Sequence, residues 1–243
     1  MTGEKPLAVV IMAAGVGKRM KWDGPKALAP LCGRPMLAYV MDTARALHPS
    51  RIVIVVGHKR ETIISAFSAP DVAFAIQEPQ MGTAHAVSCA REALTGFVGD
   101  VAVLSADVPL IKPATLSRMT DKKGAMGAAI AVLTIVLDQP GSYGRMVRDG
   151  ERIIATVEAR DANATQLKIK EINSGVYVFD SEFLFRALDE VKNDNAQGEY
   201  YLTDLIAMAV TEGRVVVGIT AGDEMEALGA NTLEDLERIE SAM

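Results

Sequence analysis

Between Met12 and Lys26 the chain runs Met12-Ala13-Ala14-Gly15-Val16-Gly17-Lys18-Arg19-Met20 and, shortly after, Gly24-Pro25-Lys26. Small residues and glycines let backbone amides approach phosphate oxygens, and Lys18, Arg19 and Lys26 supply countercharge. The alternative is a strand-to-helix turn kept small for packing. Two other glycine motifs do not fit. The dinucleotide fingerprint needs glycine three positions beyond Gly17, where Met20 stands, and a Walker A loop needs Ser or Thr where Arg19 stands.

A second candidate is Asp107, in Ser105-Ala106-Asp107-Val108-Pro109. A carboxylate at a strand end beside a proline is held with little freedom. That suits Mg2+, which takes one or two protein oxygens and fills its remaining positions with water and substrate phosphates. A turn cap is the other reading. In Gln77-Glu78-Pro79-Gln80-Met81-Gly82-Thr83, the Gly82 and Thr83 amides precede a helix and could meet an anion or a base edge; Thr83 could equally cap that helix. Glu158 and Asn173 stand beside strands, suited to sugar hydroxyls or simply to solvated turns. Asn231 marks a helix start, where capping is one reading. His48, His58 and His85 have neither a serine elbow nor a paired ligand, so no hydrolytic triad or zinc site is expected; His85 is read as helix packing. Cys32 and Cys89 make no disulfide framework and are read as small packed hydrophobes. Trp22 lies in the basic loop, shielding the site or lying on the loop surface.

The elements that must position these residues follow from periodicity. Leu7 to Met12, Arg51 to Gly57, Val72 to Gln77 and Val101 to Ser105 are short apolar runs, expected as parallel strands buried on both faces. Helical patterns at Met36 to Leu47, Lys59 to Phe67 and Thr83 to Leu94 separate them, giving βαβ units of a doubly wound α/β sheet. Ligands in such sheets bind beyond the carboxyl ends of the strands. After about Thr134 the strands Ala128 to Leu137, Arg145 to Arg148, Arg152 to Glu158 and Gly175 to Phe179 follow with little helix between them. Asp149-Gly150 marks a hairpin there. Helices are expected at Glu182 to Val191, Tyr201 to Thr211 and Thr232 to Ser241, with a strand at Val215 to Ile219. The expected organisation is one domain over 1–243. The doubly wound half (about 1–134 and 204–243) would carry a smaller, more antiparallel lobe (about 135–203).

Composition narrows the class. The 243 residues are 49% apolar but only 5% aromatic, so the core is aliphatic. A formal charge of −6 argues against nucleic-acid binding, and a basic cluster in an acidic chain points to a focused anion site. Glu4 and Lys18-Arg19 spoil any reading of the apolar N-terminal run as a leader, and no stretch approaches the ~20 apolar residues of a membrane span, so a cytoplasmic protein is expected.

The ordered set of segments is similar to a known family. Met12 to Met20 with Gly24-Pro25-Lys26 resembles the signature loop of sugar-1-phosphate nucleotidyltransferases. Gln80-Met81-Gly82-Thr83-Ala84-His85-Ala86, Ala106 to Ile111, Gly141-Ser142-Tyr143-Gly144-Arg145, Glu171 to Gly175 and Asn195 to Asp204 follow in the family's order. Together they resemble the uridyltransferase domains of bacterial bifunctional N-acetylglucosamine-1-phosphate uridyltransferases, over essentially the whole chain.

The resemblance implies a Rossmann-like nucleotidyltransferase fold and Mg2+-dependent transfer of UMP from UTP to N-acetylglucosamine 1-phosphate. It implies that Met12, Ala13, Ala14, Gly15, Gln77, Gly82, Thr83, Ser105 and Ala106 hold the nucleotide. Arg19 and Lys26 would neutralise its phosphates as the catalytic cations, and Asp107 and Asn231 would hold the metal. Gly144, Glu158, Asn173, Tyr201 and Thr203 would surround the sugar. Rival readings are another sugar 1-phosphate or nucleotide, and a non-catalytic binding module on the same fold. Lys18 stands where the family commonly has threonine, and Ser105-Ala106 departs from the usual pair before the aspartate. The acetyltransferase repeats that build the family's trimer are not in these residues. No acetyl transfer is therefore expected, and a monomer is one reading of the oligomeric state.

Overall fold

The computed structural model describes residues 5–17, 19, 20 and 22–243. Among these described residues eleven strands form in chain order: β1 (Leu7–Met12), β2 (Pro30–Leu31), β3 (Arg34–Pro35), β4 (Arg51–Val56), β5 (Val72–Ile76), β6 (Asp100–Ser105), β7 (Ile130–Val136), β8 (Arg145–Asp149), β9 (Arg152–Val157), β10 (Glu171–Asp180) and β11 (Val216–Thr220). Seven α-helices accompany them: α1 (Met36–Ala46), α2 (Arg60–Phe67), α3 (Thr83–Cys89), α4 (Pro113–Ala125), α5 (Ser181–Leu188), α6 (Asp204–Thr211) and α7 (Leu233–Glu240).

The main sheet has the order β11-β7-β10-β6-β1-β4-β5. β1 lies parallel between β4 and β6, β5 continues the parallel set, and β11 runs parallel to β7. Alternation within β1 explains its unbroken apolar run. Val9 and Ile11 enter one core, Ala8 and Val10 the other, so both faces are dry. Full burial of each such Val or Ile contributes about 1.5–3 kcal/mol.

The expected doubly wound first half is present, with one change in how the later strands join it. β10 does not stand apart in a lobe; it runs antiparallel inside the main sheet, bonded to β6 on one side and β7 on the other. The β8–β9 hairpin turns at Gly150, as expected from Asp149-Gly150, and attaches to β10 through Arg145 and Ile172.

Other elements differ from expectation, among them the helix expected over Glu182 to Val191, which spans Ser181–Leu188. α4 was not anticipated. β10 begins at Glu171 rather than Gly175, because its register shifts between Asn173 and Tyr177 and the polar Asn173-Ser174-Gly175 imitates a turn. The helix expected from Tyr201 starts at Asp204, and that expected to reach Leu94 ends at Cys89, with a separate 3-10 turn at Glu92–Leu94. Cys32 is not packed: it sits exposed, at φ 47°, in the turn of the β2–β3 ribbon. Cys89 is half-buried on α3.

Candidate nucleotide and sugar-phosphate site

β1 and β6 end side by side, with Met12 opposite Ser105, and their loops open onto the same rim. Two cavities meet there. The larger, about 520 Å3, is lined by the first loop from Met12 to Gly17, by Arg19, Lys26, Gln77, Gly82 and Thr83, and by Ser105 to Asp107. The smaller, about 210 Å3, is lined by Gly144, Glu158, Asn173, Tyr177 and Thr203 among others. Met12, Thr83, Ser105, Asp107 and Asn231 line both.

The first loop leaves its main chain open. The Ala13 amide donates to Val55 O at 2.8 Å, but among the described residues nothing accepts from the amides of Ala14 and Gly15. Open amides beside a cavity are donors for an anion. Gly17, at φ +68°, completes the arrangement, since a Cβ there would stand 2.8 Å from Lys26 Cβ. Lys18 lies outside the described residues.

Lys26 carries its ammonium to the junction of the cavities. It donates to Asp107 Oδ2, and to Asn231 Oδ1 at 2.9 Å. Arg19 donates to the same Asn231 oxygen at 3.0 Å, and Ser105 Oγ donates to Asp107 Oδ1 at 2.6 Å. Burial pushes the Asp107 carboxyl up, but the Lys26 ammonium and the Lys26 and Ser105 hydrogen bonds outweigh it and hold the group below the usual carboxylate range. Asp107 is therefore a carboxylate, as a metal ligand must be.

The capping alternatives resolve in the same region. Thr232, not Asn231, caps α7, in a reciprocal box with Asp235. Asn231 lends the cap only its backbone amide, to Asp235 at 2.8 Å; its side-chain Nδ2 donates to Gly229 O at 3.2 Å, which leaves Oδ1 facing Lys26 and Arg19. Thr83 is likewise no side-chain cap; its Oγ1 accepts from Leu202 N at 2.9 Å. Tyr200 exchanges backbone bonds with Met81 and Ala84, so residues 200–202 close against 81–84 at the wall between the cavities.

In the smaller cavity Asn173 is buried and bonds Tyr177 Oη, while Thr203 Oγ1 donates to Glu158 Oε1 at 3.4 Å. Burial raises the Glu158 carboxyl above its ordinary range, the Thr203 bond opposes this, and the charges of Asp161, Asp204 and Glu199 add to it. Tyr201 alone among the expected sugar residues does not line either cavity; its hydroxyl turns to Gln197 and Asp161.

Sequence reasoning missed two supporting residues. Arg145 is buried and donates to the carbonyls of Tyr143 and, at 3.0 Å, Gly141. The loop it holds presents Tyr143 Oη to Gly229 N at 3.0 Å, two residues from Asn231. The second is His85, read above as packing, which contacts Gln77 through Nδ1 at 3.2 Å. Both sit inside the family-like segments Gln80 to Ala86 and Gly141 to Arg145, yet nothing in their type or spacing announces those contacts. Trp22 is exposed, with its indole against Gly24.

Residues 9–199 match the MobA-like NTP transferase domain. The chain belongs to this family. Within it, the chain is 48% identical over 228 residues to the bifunctional protein GlmU of Geobacter metallireducens, covering 93% of this chain and 48% of that protein. It is 49% identical over 235 residues to the bifunctional protein GlmU of Burkholderia thailandensis, covering 95% and 51%. This NTP transferase chain thus spans about half the length of the curated relatives it matches. Its fold is shared with UDP-glucose pyrophosphorylase complexed with UDP-glucose, at TM-score 0.80 and 19% identity, over 98% of each chain. Among its described residues no helix is long and apolar enough to cross a membrane.

Proposed function

We propose that this chain transfers UMP from UTP to N-acetylglucosamine 1-phosphate, giving UDP-N-acetylglucosamine and pyrophosphate, with Mg2+ as cofactor. The observation that carries the reading is the junction itself, where Asp107 and Asn231, on the shared wall of a larger and a smaller cavity, meet the Lys26 ammonium of the larger. The larger is within the usual range for a nucleotide-sized ligand. In this reading residues of about 135–203 form the sugar-binding lobe, supplying Gly144, Glu158, Asn173 and Thr203 to the smaller cavity, whose other walls come from residues such as Thr83, Asp107 and Asn231.

The donor set fits a hard divalent cation. Asp107 Oδ2 and Asn231 Oδ1 converge on one point, now held by the Lys26 ammonium acting as a stand-in cation, and both are hard oxygens. When bound there, Mg2+ supplies charge neutralisation on the α-phosphate and the departing pyrophosphate. The chain's own residues do the rest. Open amides of Ala14 and Gly15 with Arg19 and Lys26 gather the triphosphate, and Asn173, Glu158 and Thr203 orient the acetylated sugar. A phosphate oxygen of the sugar phosphate then attacks the α-phosphorus in line. The bond to the bridging oxygen breaks, and pyrophosphate leaves with both electrons. No protein nucleophile is required. UTP and the sugar 1-phosphate are the partners of this reaction; neither nucleic acid nor a membrane has a part in it.

Pyrophosphate release by the purified chain, with Mg2+, UTP and a panel of sugar phosphates, tests the proposal. N-acetylglucosamine 1-phosphate is expected to outpace glucose 1-phosphate; equal rates would shift the substrate to another sugar, and none with any pair would favour a binding module. Glu158→Gln probes the sugar side, with an expected rise of about tenfold in KM for the sugar phosphate from the lost charged acceptor. Because burial raises the Glu158 carboxyl, the folded chain binds its proton more tightly than the unfolded chain, so Glu158 costs stability increasingly as pH rises through that window. The same variant should therefore be more stable than the parent at pH 7, with the difference fading near pH 4. A parent-like KM with no stability gain would count against both statements.

A further inference from the structure

Gln77 is 3% exposed, and its side chain is fully specified by its neighbours. Its Nε2 donates to Gly82 O at 2.9 Å, an acceptor that fixes which end of the amide is nitrogen. The other Nε2 proton faces His85 Nδ1 at 3.2 Å. For that contact to be a hydrogen bond, Nδ1 must carry the lone pair and Nε2 the hydrogen. His85 Nε2 lies 3.8 Å from Cys89 Sγ, whose thiol burial keeps protonated, so no thiolate competes for the ring. Oε1 of Gln77 is then the one polar atom left over. Among the described residues nothing donates to it, and the side chain lines the larger cavity.

We propose that His85 is a positioning residue for nucleobase selectivity: by accepting from Gln77 Nε2, it keeps Oε1 turned to the base as an acceptor. The site then favours a base that carries a ring N–H on its pairing edge, such as uracil at N3. It disfavours one that presents a ring lone pair there, such as cytosine. Reversing the amide would set Oε1 against both the Gly82 carbonyl and the Nδ1 lone pair, so the two acceptors together make the choice. Remove His85 and only Gly82 remains to hold the orientation. The inference rests on the nucleotide reading of the larger cavity.

The test compares UTP with CTP, by kcat/KM from pyrophosphate release and by calorimetric affinity, in the parent chain, His85→Leu and His85→Asn. In His85→Leu the UTP-over-CTP ratio is expected to fall about tenfold, the worth of one hydrogen bond that fixes a buried amide. In His85→Asn, whose Oδ1 can take the place of Nδ1, most of the ratio should return. A packing role alone would weaken both nucleotides alike, and an unchanged ratio in His85→Leu overturns the inference. If thermal unfolding shows that His85→Leu does not fold, His85→Met makes the same comparison. A parent chain that prefers CTP overturns the functional reading together with this one. A parent that prefers UTP, with an unchanged ratio in the variant, overturns this one alone.

Discussion

Asp107→Ala is expected to lower kcat by about 10³-fold or more while the chain stays folded, because it removes the carboxylate that, alone among the described residues, lines both cavities. The fold should survive because the Asp107 main chain does separate work: its carbonyl accepts from Ala230 N at 2.8 Å whatever the side chain. Stability should fall by about 1–2 kcal/mol, since Lys26 loses its charged partner in a partly dry site but keeps Asn231 Oδ1 at 2.9 Å. Adding Lys26→Met should restore that stability without restoring turnover, which separates the two roles of the carboxylate. The pH dependence has a definite sign. The folded state holds the Asp107 carboxyl below its usual range, so its contribution is present above the ordinary carboxylate pKa and is lost as pH falls. The urea midpoints of parent and variant should therefore converge on acidification below about pH 4. A kcat within tenfold of the parent would remove Asp107 from the metal and phosphate chemistry.

Gly82→Ala is expected to damage both stability and nucleotide binding. Gly82 has φ +107° and ψ 178°, a region essentially closed to residues with a Cβ. An added Cβ would stand 2.5 Å from Tyr200 O and 2.8 Å from Tyr200 N, and backbone cannot swing aside as a flexible side chain can. The displaced segment is the one whose Tyr200 bonds Met81 and Ala84 and whose Leu202 bonds Thr83. Strain and lost hydrogen bonds together should cost about 3 kcal/mol or more. The Gly82 carbonyl also orients Gln77, so UTP affinity should fall with stability. Urea unfolding and calorimetry read the two effects; a variant with the parent's midpoint and affinity would show that the wall yields without consequence.

Residues that act through composition were readable from the chain. The β1 run, its small-residue loop and the carboxylate ending β6 are local signals, and the structure brings them to one rim. What escaped was set by tertiary contact. α4 carries the buried Lys123, neutralised by Asp100 at 2.8 Å, so a charge interrupts the apolar stripe that would have marked the helix. Asn173 and Ser174 look like turn residues because their partners, Tyr177 Oη and Leu133 O, come from the folded sheet. Asn231 looked like a cap because nothing local tells it from Thr232, the residue that does the capping. His85 and Arg145 support other site residues rather than lining the cavities, and spacing alone does not reveal whom a side chain supports.

The antiparallel strand β10 has a bearing on how the chain is assembled. It fills the gap between β6 and β7, yet it comes some seventy residues after β6 in the chain. During synthesis, the parallel strands β1, β4, β5 and β6 can associate early, but one flank of β6 keeps unsatisfied amides and carbonyls until Tyr177, Val178 and Phe179 emerge to meet Val103, Ala102 and Val101. The parallel part of the sheet is thus sealed by a strand that arrives late, and the loop that carries Asp107 beyond β6 has its final setting only when β10 has joined.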